Sequence, residues 1–212
     1  MRIAIVGSTG GTGRALVEQG LERGHEVVAL ARKPEAVGIQ HDRLEVKAAD
    51  VLDRRSLEAA IAGTDAVLSA LGISGWPGFG QISLYSQGGG NLVDAMEASG
   101  PKRLLAVTSG GVEHDDPSFD WFYRWVLKPV LIQRAYDDMI RMEDRISRSK
   151  LTWTLVRPTK LLDTPPHPDG YRVSPKLAPP GGREIARSDL AGFMLDELES
   201  NTWVGKTPTL AY

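Results

Sequence analysis

Residues 2–13 read Arg-Ile-Ala-Ile-Val-Gly-Ser-Thr-Gly-Gly-Thr-Gly. A short apolar run broken by glycine is the pattern of a buried parallel strand. Beyond the glycines, Ala15, Leu16, Val17, Gly20 and Leu21 recur at helical spacing, and Gly24 supplies a stop. His25 to Ala31 then reads as a second strand. The alternation continues: Leu44 to Ala48, Ala66 to Ala70, Arg103 to Thr108 and Leu151 to Val156 read as strands. Between them lie helices at Arg54 to Ala62, with Asp53 as N-cap, and at Leu84 to Ser99, ending at Gly100-Pro101. A further helical region runs to about Lys150. Strands alternating with helices predict a parallel sheet with right-handed crossovers and helices on both faces.

After Leu151 to Val156 the regularity is lost. Seven of the thirteen prolines (158, 165, 166, 168, 175, 179 and 180) fall here, beside Gly170, Gly181 and Gly182. Loops are expected, with one short strand near Tyr171-Arg172-Val173. A last helix, Leu190 to Leu198, is expected to start from a cap at Ser188 or Asp189, and Thr207 to Ala211 reads as an edge strand. No repeat or linker divides the chain. The expected fold is α/β: a doubly wound, Rossmann-like parallel sheet in a single domain spanning residues 1–212, with an irregular substrate-side segment at about 158–187.

Composition narrows the function. The chain has 212 residues, with 42% apolar and 25% charged side chains, the usage of a globular protein. Its net charge of −2 is no footprint for a nucleic-acid or anionic-membrane partner. No run approaches the roughly 18 apolar residues of a spanning helix, and Ile3 to Val6 is too short for a signal-peptide core. Zero cysteines exclude disulfides and thiolate chemistry and fit a reducing compartment, so a cytoplasmic location is expected. Of the four histidines, His25 opens a strand while His41, His114 and His167 are isolated, so no metal site is expected.

The turn between the first strand and helix carries the sharpest chemistry. Gly7, Gly10 and Gly13 are spaced three apart, and only glycine lets backbone N–H groups press against a pyrophosphate at a helix N-terminus. Thr9 and Thr12 can add hydroxyl donors. About 20 residues on, where a carboxylate would select NAD, stand Arg32-Lys33. A guanidinium suits a 2′-phosphate, so NADP(H) is the expected cofactor in preference to NAD(H). Asp50-Val51 follows the third strand, where adenine would lie; a turn-forming role for Asp50 is equally compatible. Leu71-Gly72 follows the fourth strand, beside the expected ribose.

With these residues placed, the chain resembles the atypical short-chain dehydrogenase group, and within it the flavin reductase/biliverdin reductase B family. The resemblance covers nearly the whole chain and rests, in order, on IAIVGSTGGTG, LARKPEAV, AADVLD, SALG, AVTSGG, DDMIRMEDRI, LTWTLVRP, DGYRV and REIARSDLAGFML. It implies an NADPH-dependent reductase with a permissive pocket for flavins, quinones or linear tetrapyrroles. It also places Gly10, Thr12, Gly13, Arg32, Asp50, Val51, Gly72 and Ser109 at cofactor contacts.

The departures bear on mechanism. The Tyr-x-x-x-Lys pair of typical short-chain dehydrogenases is absent: Tyr123 is followed four residues on by Leu127 and Tyr136 by Ile140. The helix position of that lysine, or of a flavin-reductase histidine, holds Met139, and a second histidine position holds Lys160. Ser109 and Lys160 are the candidate catalytic residues. Ser109, at a strand's carboxyl end, reads equally as a hydrogen-bond donor to nicotinamide or substrate and as a capping serine. Hydride transfer to an electron-poor ring draws mostly on binding and orientation, with the proton available from water. Phe119, Trp121, Phe122, Tyr123 and Trp125 form an aromatic stretch, of which Trp121 and Trp125 are the candidate substrate wall. Trp76 to Phe79 can flank the cofactor. The expected partner is a flat aromatic small molecule, taken by a monomer or homodimer. The alternative is an NADP(H)-binding redox sensor or regulatory scaffold of the same fold, without turnover.

Overall fold

The computed structural model describes residues 1–73, 82–113 and 133–212. Its strands are β1 (Arg2–Val6), β2 (Glu26–Ala31), β3 (Leu44–Ala48), β4 (Ala66–Ser69), β5 (Arg103–Val107), β6 (Thr152–Pro158), β7 (Lys160–Leu162), β8 (Arg172–Ser174), β9 (Glu184–Ala186) and β10 (Thr209–Ala211). The helices are α1 (Gly11–Glu22), α2 (Arg54–Ile61), α3 (Leu84–Ser99), α4 (Gln133–Ser147) and α5 (Arg187–Ser200). The main sheet has eight strands in the order β3-β2-β1-β4-β5-β6-β10-β8, parallel except for the β10–β8 pair. This is a doubly wound, Rossmann-like single domain. Chain order reverses between β1 and β4, and such a reversal opens a crevice at the strands' carboxyl ends.

Alternation along the strands builds the two faces. Ile3, Ile5, Val27, Ala29, Leu68 and Leu105 pack under α1 and α5. Ala4, Val6, Val28, Val67, Leu104 and Ala106 face α2, α3 and α4 on the other side. Every one of these side chains is essentially buried. A sheet covered on both faces explains why its strands read as continuous apolar runs.

Local and distant capping both operate. Asp53 caps α2 as its sequence suggests, its Oδ1 accepting from the N–H groups of Arg55 at 3.0 Å and Ser56 at 3.4 Å. For α3, Ser83 makes no such bond. The fully buried Asp138 of α4 accepts instead from Tyr85 N–H at 2.8 Å and Ser86 N–H at 3.3 Å, pinning α4 to the start of α3.

The C-terminal third departs from the expected loops. Besides β8, the strands β7 and β9 pair in parallel as a separate two-stranded ribbon. β10 is interior, because β8 adds antiparallel to its outer side. β6 continues to Pro158 because β5 makes its last pair at Val107↔Val156, so a missing N–H there removes no ladder bond. α5 begins at Arg187 with Ala186 as N-cap, not at Ser188 or Asp189. Asp189 Oδ2 is engaged elsewhere, accepting from His167 N–H at 3.0 Å and the Tyr212 hydroxyl at 2.6 Å.

One buried group makes stability depend on pH. His25 is 6% exposed, and its Nε2 lies 3.5 Å from Glu199 without a hydrogen bond. Burial, then the N-terminal ammonium group, holds the imidazole below its ordinary value of 6.5, with Glu199 opposing. Below pH 6.5 the unfolded chain therefore binds more protons at this residue than the folded one. Its contribution is present above that pH and is lost as pH falls toward the lowered folded value. The melting temperature of His25→Gln is expected to fall less than the parent's between pH 7 and 5. Parallel curves would contradict this.

Candidate functional site

A cleft of about 950 Å³ lies at the carboxyl ends of β1, β2, β4 and β5. Its floor is the turn after β1. Gly7 has φ +78°, and a Cβ there would stand 2.5 Å from the Ala70 carbonyl oxygen, so the turn is pressed against the end of β4. At Gly13 a Cβ would meet the Gly7 oxygen at 2.0 Å, so α1 can start only where glycine leaves that space. Gly10 differs: its nearest neighbour would be the Gly7 oxygen at 3.5 Å, an ordinary contact. Ser8 anchors the turn by donating its hydroxyl proton to the Leu30 carbonyl at 2.8 Å. α1 has Gly10 as N-cap with no side-chain bond and no acidic residue in its first turn. Its leading N–H groups therefore remain available to an anion.

Around this floor the fold gathers Gly7, Thr9, Gly10, Thr12, Arg32, Asp50, Val51, Leu71, Gly72, Ser109 and Lys160 on one cleft wall or another. Gly13 packs beneath the turn without lining the cleft, and Lys33, exposed on the next residue, stays outside it. Arg32 is exposed, with no hydrogen bond or ion pair among the described residues. Asp50 forms a turn, its Oδ1 accepting from Leu52 N–H at 2.9 Å. Ser109 Oγ accepts from Gly111 N–H at 3.1 Å as cap of the short 3₁₀ turn Gly110–Val112, which leaves its own proton free to donate. Lys160 is 72% exposed and stands 3.7 Å from Glu184. Trp121, Trp125, the rest of their aromatic stretch and Trp76 to Phe79 lie outside the described residues.

Thr108, Tyr85 and Arg187 also line the cleft, although the sequence does not single them out. Met139 reaches the cleft from α4 and brings a thioether to its wall. Thr108, 5% exposed, has a buried hydroxyl without a partner among the described residues. Tyr85 accepts from Ile73 N–H at 3.4 Å, and burial pushes its phenol above the ordinary value, keeping it protonated at neutral pH. Asn91 Nδ2 donates to the Val51 carbonyl at 2.9 Å and fixes that loop. Among the described lining residues the cations are Arg32, Lys160 and Arg187 and the carboxylate is Asp50; Lys160 and Arg187 also stand 3.7 Å from Glu184 and 3.5 Å from Asp163. Among those residues no group of three or more His, Asp or Glu side chains could hold a metal ion, and no helix is long and apolar enough to cross a membrane.

Comparison with known proteins places this cleft in context: the model of the family described as NAD(P)H-binding matches residues 7–201. The chain belongs to the NAD(P)H-binding family. An uncharacterized protein of Mycobacterium tuberculosis is 34% identical over 111 residues, covering 52% of this chain and 12% of that protein. The chain thus spans a small part of this curated relative's length. A short-chain dehydrogenase/reductase of Veillonella parvula, solved in complex with NADP, superposes with a TM-score of 0.79 at 16% identity, over 100% of this chain and 94% of that one. A candidate NADH-flavin reductase of Streptococcus pneumoniae gives 0.76 at 21% identity, over 100% and 99%. At such identities the likeness is one of fold, the fold that the resemblance implied.

Proposed function

We infer that this NAD(P)H-binding protein is a reductase that prefers NADPH and delivers hydride to a flat conjugated acceptor, a flavin or quinone. The observation that carries the reading is the composition of the cleft. It joins a glycine cradle and a free guanidinium at Arg32 with Met139 in place of an acid–base pair. Bound there, the reduced nicotinamide supplies the hydride. Gly7 and Gly10 leave room for the diphosphate against the N–H groups of α1, Thr9 and Thr12 add hydroxyls, Arg32 meets the 2′-phosphate, and Asp50 with Val51 frames adenine. Leu71 and Gly72 line the ribose, while Lys33 adds positive potential nearby. Ser109 donates to the carboxamide or to the acceptor, and Lys160 attracts an anionic acceptor at the rim. Without a Tyr–Lys pair, simple ketones and alcohols are poor substrates, and orientation of two flat rings provides the acceleration. Neighbours of the same fold include a candidate NADH-flavin reductase and a complex with NADP, in keeping with a flavin acceptor and a pyridine-nucleotide donor. The cysteine-free chain suits the cytoplasm.

Steady-state oxidation of NADPH with FMN and with menadione tests the reading. Turnover with either is expected; tight NADPH binding without turnover of any acceptor would leave a sensor or scaffold instead. Arg32→Asp is expected to weaken NADP+ binding by about a hundredfold, with NAD+ changed by less than about threefold. Equal losses in a calorimetric titration would remove Arg32 from the 2′-phosphate.

A further inference from the structure

Arg187 is the first residue of α5, yet its side chain lies across the start of a different helix. A Cβ at Gly11 would stand 2.6 Å from Arg187 Cδ and 2.8 Å from Nε, so the guanidinium stem passes directly over the first turn of α1. Nη1 is buried and makes no hydrogen bond among the described residues. That same Nη1 stands 3.5 Å from Asp163 Oδ1 in an ion pair whose carboxylate is 82% exposed, so solvent weakens it.

This placement brings like charge to like charge. The start of α1 carries the positive end of a helix dipole, with no acidic residue in its first turn and no side-chain cap. Placing a guanidinium there is unfavourable unless an anion lies between them. The carboxylate that stands there is Asp163, whose Oδ1 a Cβ at Gly11 would meet at 3.4 Å; it is exposed and does not line the cleft, whereas Arg187 does.

We propose that Arg187 is a pyrophosphate ligand, a clamp reaching from α5 to grip the diphosphate on the side opposite the glycine turn. The proposal rests on the dinucleotide reading of the cleft and extends it to a residue contributed by the far end of the chain. Guanidinium and phosphate match as a charge-assisted, two-pronged pair. The clamp leaves Asp163 as a resting partner that phosphate oxygens displace. Unlike Arg32, it acts on the part of the ligand common to NAD(H) and NADP(H).

The test is calorimetric titration of the parent, Arg187→Gln and Arg187→Lys with NADP+, NAD+, ADP and 2′-AMP. Arg187→Gln is expected to lose about tenfold in affinity for NADP+, NAD+ and ADP alike. It should keep 2′-AMP, which carries no diphosphate, and Arg187→Lys should fall between. Retained 2′-AMP binding also reports a folded cleft. A loss of 2′-AMP together with the others would make Arg187 structural and overturn the clamp, as would unchanged NADP+ affinity or a loss confined to NADP+. If the parent itself bound none of the four, the dinucleotide reading would fail first.

Discussion

Gly13→Ala is expected to lower dinucleotide affinity by more than about a hundredfold, ~2.7 kcal/mol, and to lower the melting temperature with it. The cause is geometric. A methyl carbon at this position would sit 2.0 Å from the Gly7 carbonyl oxygen and 2.6 Å from its carbon, and both are backbone atoms that no rotamer change removes. Either α1 or the turn must shift, and forced overpacking of this kind costs ~1–3 kcal/mol in stability before any ligand is considered. The shift also withdraws the N–H groups that an anion would use. Gly10→Ala separates the two effects, since its methyl group meets only one oxygen at 3.5 Å. That variant is expected to melt like the parent while binding more weakly, because the methyl group occupies space left for the phosphates. Unaltered affinity in Gly13→Ala, measured by titration at a temperature where it is folded, would refute the role given to the turn.

Glu197→Ala is expected to destabilise the protein by ~3–5 kcal/mol while leaving the affinity of the folded fraction unchanged. Glu197 is 1% exposed on α5. Its Oε1 accepts from Arg103 Nη2 at 2.8 Å and from Trp203 N–H at 3.0 Å, with the Thr154 hydroxyl 3.1 Å away. Burial draws the Arg103 guanidinium below its ordinary value, and Glu197 holds it up. Deleting the carboxylate leaves a buried cation on β5 with no counter-charge, which is far worse than never having had the pair. Joint replacement of Arg103 and Glu197 by leucine is therefore expected to recover much of the loss. Denaturant unfolding of the single and double variants measures both, and a loss in Glu197→Ala under ~1 kcal/mol would contradict the expected importance of the pair.

Legibility in the sequence follows the range of the forces that act. The β1–turn–α1–β2 unit could be read from residues 2–31 because its strand period, glycine contacts and helix stop all lie close together in the chain. Asp53 could be read as a cap for the same reason. The true cap of α3, by contrast, is Asp138, 53 residues beyond Tyr85, and no local pattern marks it. Asp189 looks like a cap for α5 but is drawn off by His167 and Tyr212, which only the folded chain brings near. β7 and β9 are three residues each, too short for a period to register, and each exists because the other is present. The site divides in the same way. Gly7, Gly10, Arg32, Asp50 and Ser109 follow strands, so their place on one cleft is legible from position. The places of Thr108, Tyr85 and Arg187 are not, because an unpartnered hydroxyl or a guanidinium laid over another helix becomes visible only when distant segments meet.

A diphosphate lying against the start of α1 is the central requirement of the proposed function. Calorimetric titration of the purified protein with NADP+, accompanied by thermal melting, measures this most directly. Saturable binding at one site per chain is expected, with a rising melting temperature as ligand is added and weaker binding of NAD+. No heat and no melting shift with either nucleotide at millimolar concentration would contradict it.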